Sequence, residues 1–374
     1  MANFVNPTFD SNLLSWIAGK QPSDISNLSF WFDANQESYA NNDAVGTVHD
    51  FANGNDATQS TPSAKPTFKT GTINSLPVFS FDGGDRIYNS AMTSIADQDY
   101  TFIDVVKHVT AGGYQSFAGL GYTGGSIFSF DPGGTTIITN TAGNGTFVTG
   151  TPPATGTAFI HYVRRVNSLT KGYMRINGGS ETNGSPPNCS SIAGWILGAY
   201  ESGGGQPFTG QLGEGAGFSA NLSSQDEADI HSYLALKWGL TLGTNFGANV
   251  TRDTGIKYSG AASAKIVTAA STGTTPFYEI INPGDTRQYN LIAYAYTDGS
   301  AVTSSDVKLY YNGSAITTTY TSVGSGWYKL SATVTGANAN RKCGVEAQTN
   351  KTVYVDSFDL SLSLISPLPS FFRI

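Results

Sequence analysis

The sequence predicts an all-β protein of two domains, and three observations carry that prediction. Short runs rich in Val, Ile, Phe, Tyr and Thr recur along most of the chain, and glycine-rich turns separate them. Only one stretch carries helical periodicity. At 374 residues the chain exceeds a typical single core, so two domains is the starting expectation.

From Leu28 to Val166 the strand-like segments are LSFWFDA (28–34), LPVFSFDG (76–83), YTFIDVV (100–106) and AFIHYVRRV (158–166), with KGYMRING (171–178) just beyond. In YTFIDVV, Thr101, Ile103 and Val105 share one face and Tyr100, Phe102 and Val106 the other. Both faces are largely apolar, which predicts a central strand covered on both sides. Turns are marked by NGND (53–56), DGGD (82–85), TGG (123–125), DPGG (131–134), NGG (177–179) and SGGG (202–205). The helix is read in LSSQDEADIHSYLALKWGL (222–240), near 223–238. Ser223 or Ser224 starts it with an acid three residues on, Ile230, Leu234 and Trp238 form its buried stripe, and Gly239 stops it. It is expected to cap one end of the sandwich, with His231 a surface or packing residue.

From about Asn245 the helical signals vanish. QYNLIAYAYTDG (288–299), DVKLYYNG (306–313), WYKLSATVTG (327–336) and VYVDSFDLSL (353–362) alternate apolar and polar residues. Residues 365–374 form an apolar tail, in which Phe371 and Phe372 are expected to dock on a neighbouring surface.

Charged residues are only 13% of the chain and the formal net charge is −7, with lysines and arginines scattered. Without a basic cluster, nucleic acids and anionic membranes have no electrostatic footing. No apolar run reaches the roughly 18 residues of a spanning helix. The opening MANFVNPTFDSNLLSW lacks the basic and apolar regions of a secretory signal; the expected location is a virion surface or extracellular, the sequence being either that of the mature chain or that of a protein with another route to the outside, such as release in a virion. Cys189 and Cys343 fall in different predicted domains, and two free, partly buried thiols are expected, the alternative being a disulfide between them.

Two family resemblances follow from ordered motifs. LSFWFDANQ (28–36), FANGNDATQ (51–59), KPTF (65–68), LPVFSFDGGDRI (76–87), ILGAY (196–200) and the stretch 208–240 resemble the LamG-like, concanavalin A-like lectin/glucanase sandwich. GIKYSGAASAKI (255–266), INPGDTRQYNLIAYAYTD (281–298), GWYKLSATVT (326–335) and TVYVDSFDLSL (352–362) resemble the carbohydrate-binding modules of the CBM4/9 type, galactose-binding-like jelly rolls. The opening strand of that second family does not precede residue 247 but is matched by NPTFDSNLLSW (6–16). The resemblance therefore implies two jelly-roll sandwiches, one inserted in the other: a discontinuous module of 1–20 plus 245–364, and a lectin-like sandwich of 21–244. The alternative is a free N-terminal arm ahead of two tandem domains.

Glycan cleavage needs two carboxyl groups across the scissile bond, about 5 Å or about 6.5–9.5 Å apart. None of Glu37, Glu181, Glu201, Glu214, Glu227, Glu279 and Glu346 has a carboxylate two residues away on a predicted strand, and Asp82 with Asp85, and Asp97 with Asp99, lie near turns. No catalytic residues are expected. His49, His108, His161 and His231 show no zinc spacing. The second resemblance implies a structural calcium held by Asp10, the backbone from Lys257 to Ser259, and Asp356; the alternative is that these groups hydrogen-bond across the sheet. Sugar recognition needs aromatic platforms with planar polar groups. Tyr294 and Tyr296 share a strand face, with Tyr310 and Trp327 on other strands of the same sandwich; the alternative is that such aromatics pack the core. Trp195, Tyr200 and Tyr122 are weaker candidates. The expected function is non-catalytic binding of glycans or cell-surface polysaccharide, in a homo-oligomer or larger assembly such as a phage decoration or fibre protein. Its rival is a purely structural assembly protein. No organic cofactor, nucleic acid or membrane insertion is expected.

Overall fold

The structure, a computed structural model, describes residues 17–95, 98–121, 125–141, 145–185, 193–243, 249–253, 255–259, 263–268 and 274–362. Among the described residues it is all-β apart from one α-helix and short 3-10 turns, and the strands pair antiparallel. Contacts divide the chain into two compact units, Met1–Lys20 with Phe246–Ile374, and Gln21–Asn245. Among the described residues no helix is long and apolar enough to cross a membrane.

In the unit Gln21–Asn245, two eight-stranded sheets face each other across one shared core. Ala158–Val166 forms a strand with the bounds read from the sequence, and Tyr100–His108 runs between it and Thr209–Phe218. Tyr100, Phe102 and Val106 point into the shared core. Trp195 is sandwiched there between Phe30 and Phe32, at 4.9 and 5.9 Å between ring centroids. Full burial makes this indole a packing residue; Tyr122 lies outside the described residues and Tyr200 is half-buried. His161 is packed too. Its Nδ1 lies 2.9 Å from Asp104 Oδ1 amid Phe102, Phe117 and Phe128, and burial pushes the Asp104 carboxyl up.

The glycine run of Thr209–Phe218 has a packing cause. A Cβ on Gly217 would come within 2.2 Å of the Phe30 ring, and one on Gly213 within 2.6 Å of the Trp238 ring. Only bare backbone lets large aromatics close on both faces of this strand.

The helix runs Ser224–Trp238. Ser223 caps it, its Oγ accepting the Asp226 N–H at 3.1 Å, and Gly239 ends it at φ 65°. It does not cap an end of the sandwich, as the sequence reading had it. It lies against the outer face of the sheet, with the His231 ring 5.2 Å from Tyr162 and the Trp238 ring over Gly213. The reason is the apolar outer face itself: Ile103, Val105, Ile160 and Tyr162 are fully buried, and an end cap would leave them wet. Burial also extends past the expected stripe to Glu227, Asp229, His231 and Ser232. Glu227 is served by Arg175 Nε at 3.0 Å and its carbonyl by His231 Nδ1 at 2.7 Å.

A buried polar cluster ties the helix to the strands. Glu214 Oε1 accepts from Trp31 Nε1 and the Tyr233 hydroxyl, and Oε2 from Trp238 Nε1, each at 2.9 Å. Lys237 Nζ reaches Glu214 Oε2 at 2.8 Å and Asp33 Oδ2 at 2.6 Å.

In the other unit, a five-stranded sheet includes Thr275–Ile281, Val307–Tyr311 and Arg341–Ala347, and Ile17–Ala18 pairs at its edge with Tyr278 and Phe277. Residues 6–16, the matched opening strand, lie outside the described residues. A six-stranded sheet has Gln288–Thr297 flanked by Trp327–Thr335 and Thr352–Leu362. In Gln288–Thr297 the residues Tyr289, Leu291, Ala293, Ala295 and Thr297 are buried, while Asn290, Ile292, Tyr294 and Tyr296 are half-buried on the opposite face. Cys343 is buried, its thiol 3.7 Å from the Arg341 carbonyl oxygen; Cys189 lies outside the described residues.

Candidate functional site

Antiparallel register assembles the candidate site on that opposite face of the six-stranded sheet. Tyr296 is the Cα partner of Trp327 on one side and of Tyr354 on the other, and Tyr294 is the partner of Lys329 and Asp356. Directly opposed side chains on one face lie close enough to touch. The rings accordingly meet: Tyr296 is 5.6 Å from Trp327 and 5.8 Å from Tyr354. Gly326, at φ 80°, makes room at the turn, since a Cβ there would come within 2.8 Å of the Tyr296 ring.

The loop before Ser263–Val267 adds the outermost ring. Asp356 Oδ2 accepts the N–H groups of Tyr258 and Ser259 at 2.7 and 2.9 Å, and the Ser259 and Ser357 hydroxyls lie 2.5 Å apart. These bonds seat Tyr258 face-on over Tyr294, with centroids 4.1 Å apart and planes 12° apart, and 5.7 Å from Trp327. Tyr258 is 41% exposed, unusual for so large a ring. Desolvation, then the neighbouring Tyr294, raises its phenol pKa, so the hydroxyl is a neutral donor near pH 7. Lys265 Nζ lies over the Tyr354 ring at 5.5 Å. Farther along the same face the partners are polar: Asn290 with Thr333 and Ser361, and Ile292 with Ser331 and Asp359. The face thus grades from stacked rings to hydroxyl, amide and carboxylate groups.

Three of the four aromatic residues singled out in the sequence, Tyr294, Tyr296 and Trp327, meet here. Tyr310 does not join them. It belongs to the five-stranded sheet, is buried, and stacks on Tyr278 at 5.6 Å, because its strand alternates toward a different neighbour. Tyr258, Tyr354, Lys265 and Lys329 were not singled out. For Tyr354 a signal existed, its period-two spacing from Asp356; for Tyr258 the only sign was an aromatic inside a Gly- and Ser-flanked loop.

Around the expected calcium ligands, Asp10 lies outside the described residues, and the backbone of Tyr258 and Ser259 presents N–H groups to Asp356. Two N–H hydrogens facing Oδ2 repel a cation there, and Oδ1 lies 3.1 Å from the Ser357 hydroxyl. In the described part of this donor set, Asp356 and the backbone of Tyr258 and Ser259 form a hydrogen-bonded loop tie. Among the described residues no group of three or more His, Cys, Asp or Glu side chains could hold a metal.

A cavity of about 710 Å³ in the same unit is lined by Thr303, Lys308, Thr318 and Tyr320 among others. Its Tyr320 and Thr318 hydroxyls already donate to the carbonyls of Val307 and Ile316.

No protein-family model matches the chain, and no curated protein matches it. Among solved structures it is similar to a Trypanosoma rangeli sialidase, at 14% identity over 59% of this chain and 34% of that one, with a TM-score of 0.38. It is also similar to a GH54 α-L-arabinofuranosidase, at 12% identity over 74% of this chain and 76% of that one, with a TM-score of 0.42. The chain spans about a third of the sialidase's length. TM-scores of this size do not establish a shared fold.

Proposed function

We propose that the chain is a non-catalytic glycan-binding or adhesion protein, and that the aromatic face around Tyr258, Tyr294, Tyr296 and Trp327 is its sugar platform. The observation that carries the reading is the exposed Tyr258 ring, held by backbone bonds to Asp356 in a stack on Tyr294. A fixed ring with one open side offers a flat surface to the C–H face of a sugar, while Lys329 and the Asn290, Ser331, Thr333 and Asp359 groups can meet its hydroxyls. The jelly-roll character of the two units, and display on a virion surface, belong to the proposal on the strength of the sequence reading. A structural calcium held by Asp10, the backbone from Lys257 to Ser259 and Asp356 remains part of the proposal on the strength of the family resemblance.

The non-catalytic part of the reading draws on the carboxylates. Asp33 and Glu214 are register partners but are sealed beneath Lys237. Asp82 and Asp85 are bound into their own turn, Asp85 Oδ2 accepting the Asp82 N–H and Asp82 Oδ1 the Gly84 N–H.

A glycan array tests the reading, repeated with Tyr258→Ala and Trp327→Ala. The expected result is selective retention of one sugar class, weakened about tenfold or more by either change. Retention of no sugar would sink the reading in favour of a structural assembly protein, in which deleting 366–374 abolishes self-association.

A further inference from the structure

We propose that Lys237 and Asp33 are joined by an intramolecular isopeptide bond, with Glu214 carrying the protons. Three features of the cluster point to this chemistry. The first is proximity: Lys237 Nζ lies 2.6 Å from Asp33 Oδ2 and 2.8 Å from Glu214 Oε2, so nucleophile, acyl carbon and proton carrier share one position. Holding reactants in this way supplies effective concentrations on the order of 10⁵–10⁸ M, which ordinary solution cannot match. The second is exclusion of water. The Asp33 and Glu214 side chains are 1% and 0% exposed and that of Lys237 15%, walled by the Tyr233 and Trp238 rings at 5.4 and 5.7 Å from Nζ. A dry site favours a neutral amide plus released water over a buried ion pair. The third is orientation: Asn35 N–H donates to Asp33 Oδ1 at 3.0 Å and Gln36 Nε2 to Oδ2 at 2.9 Å, donors placed to stabilise the oxyanion that forms on attack.

The step balances without an oxidant or an activating group. Glu214 accepts a proton from the Lys237 ammonium, and the freed amine attacks Asp33 Cγ, forming the C–N bond. Collapse of the tetrahedral intermediate breaks one C–O bond. The two protons lost by nitrogen leave on that oxygen as water, and Glu214 ends as it began. Burial, and then the Asp33 charge, raise the Glu214 carboxyl above the ordinary carboxylate value, which favours its taking up a proton. Burial disfavours the Lys237 ammonium, but Glu214 and Asp33 hold it above the ordinary lysine value. Attack therefore requires the ammonium to hand its proton to Glu214 within the cluster. Trp31, Tyr233 and Trp238 fix Glu214 in place through their hydrogen bonds.

Intact-mass spectrometry of the denatured full chain tests the proposal. The expected mass is one water below that of the sequence, and a protease digest shows the Asp33 and Lys237 peptides as one branched species. Lys237→Arg and Glu214→Gln are expected to restore the full mass, the second while leaving both bond-forming residues present. A wild-type chain of full mass, with the two peptides separate, overturns the proposal whatever the variants do. So does a water loss that persists in Lys237→Arg.

Discussion

His231 is fully buried in the helix with Nδ1 donating to the Glu227 carbonyl, and burial pulls its pKa from 6.5 down to about 4. In the unfolded chain the same imidazole protonates near 6.5. Its stabilising contribution is therefore complete above 6.5, and is lost as the pH falls, because the unfolded chain takes up the proton first. The loss grows from 6.5 down to about 4 and then levels off. A gap of this size corresponds to about 2 kcal/mol lost by pH 5 and about 3 kcal/mol by pH 4. The assay is urea unfolding of the wild type and His231→Gln at pH 7, 5 and 4, followed by tryptophan fluorescence. Carboxyl groups such as Glu214 and Glu227 are raised by burial and act in the opposite direction in both proteins, so the comparison cancels them. The wild type's advantage over the variant should shrink by about 3 kcal/mol between pH 7 and pH 4. An unchanged difference across that range would refute the claim that His231 is buried neutral.

Two further outcomes are expected. Gly213→Ala should destabilise the Gln21–Asn245 unit by about 1–3 kcal/mol in thermal melts, since its Cβ meets a Trp238 ring pinned to Glu214, whereas Gly133→Ala, with 3.5 Å to its nearest neighbour, should change little. Asp356→Ala should release the Tyr258 loop and weaken glycan retention, while a chelator leaves retention by the wild type intact; loss of retention in chelator would make the platform depend on calcium.

Local physics was legible in the sequence, and long-range pairing was not. Ser223, Asp226 and Gly239 announced the helix because capping acts within a few residues. Apolar character on both faces announced Tyr100–His108 as central, and its burial follows. The strand face of Tyr294 and Tyr296 was equally readable from period two. Period two, however, says which residues share a face, not which sheet a strand joins. That is why Tyr310 was grouped with them and Tyr354 was not. The cluster of Trp31, Asp33, Glu214 and Lys237 left no local trace at all, since it joins Asp33 to Lys237 across 204 positions through strand register and helix packing. The helix's resting place was misjudged for the same reason: the apolar outer face that needs it is assembled from separate strands.

The pairing of Ile17–Ala18 with Phe277 and Tyr278 has a consequence for synthesis. The ribosome delivers the edge strand early, but its partner emerges only after all of Gln21–Asn245 has been made. Without a compact Gln21–Asn245 unit, the stretch between the two paired segments would be a very long floppy loop, whose closure carries an entropy penalty on the order of 5 kcal/mol. Weakening Gln21–Asn245 by mutation is therefore expected to slow this pairing too, even where the substituted residue belongs entirely to Gln21–Asn245.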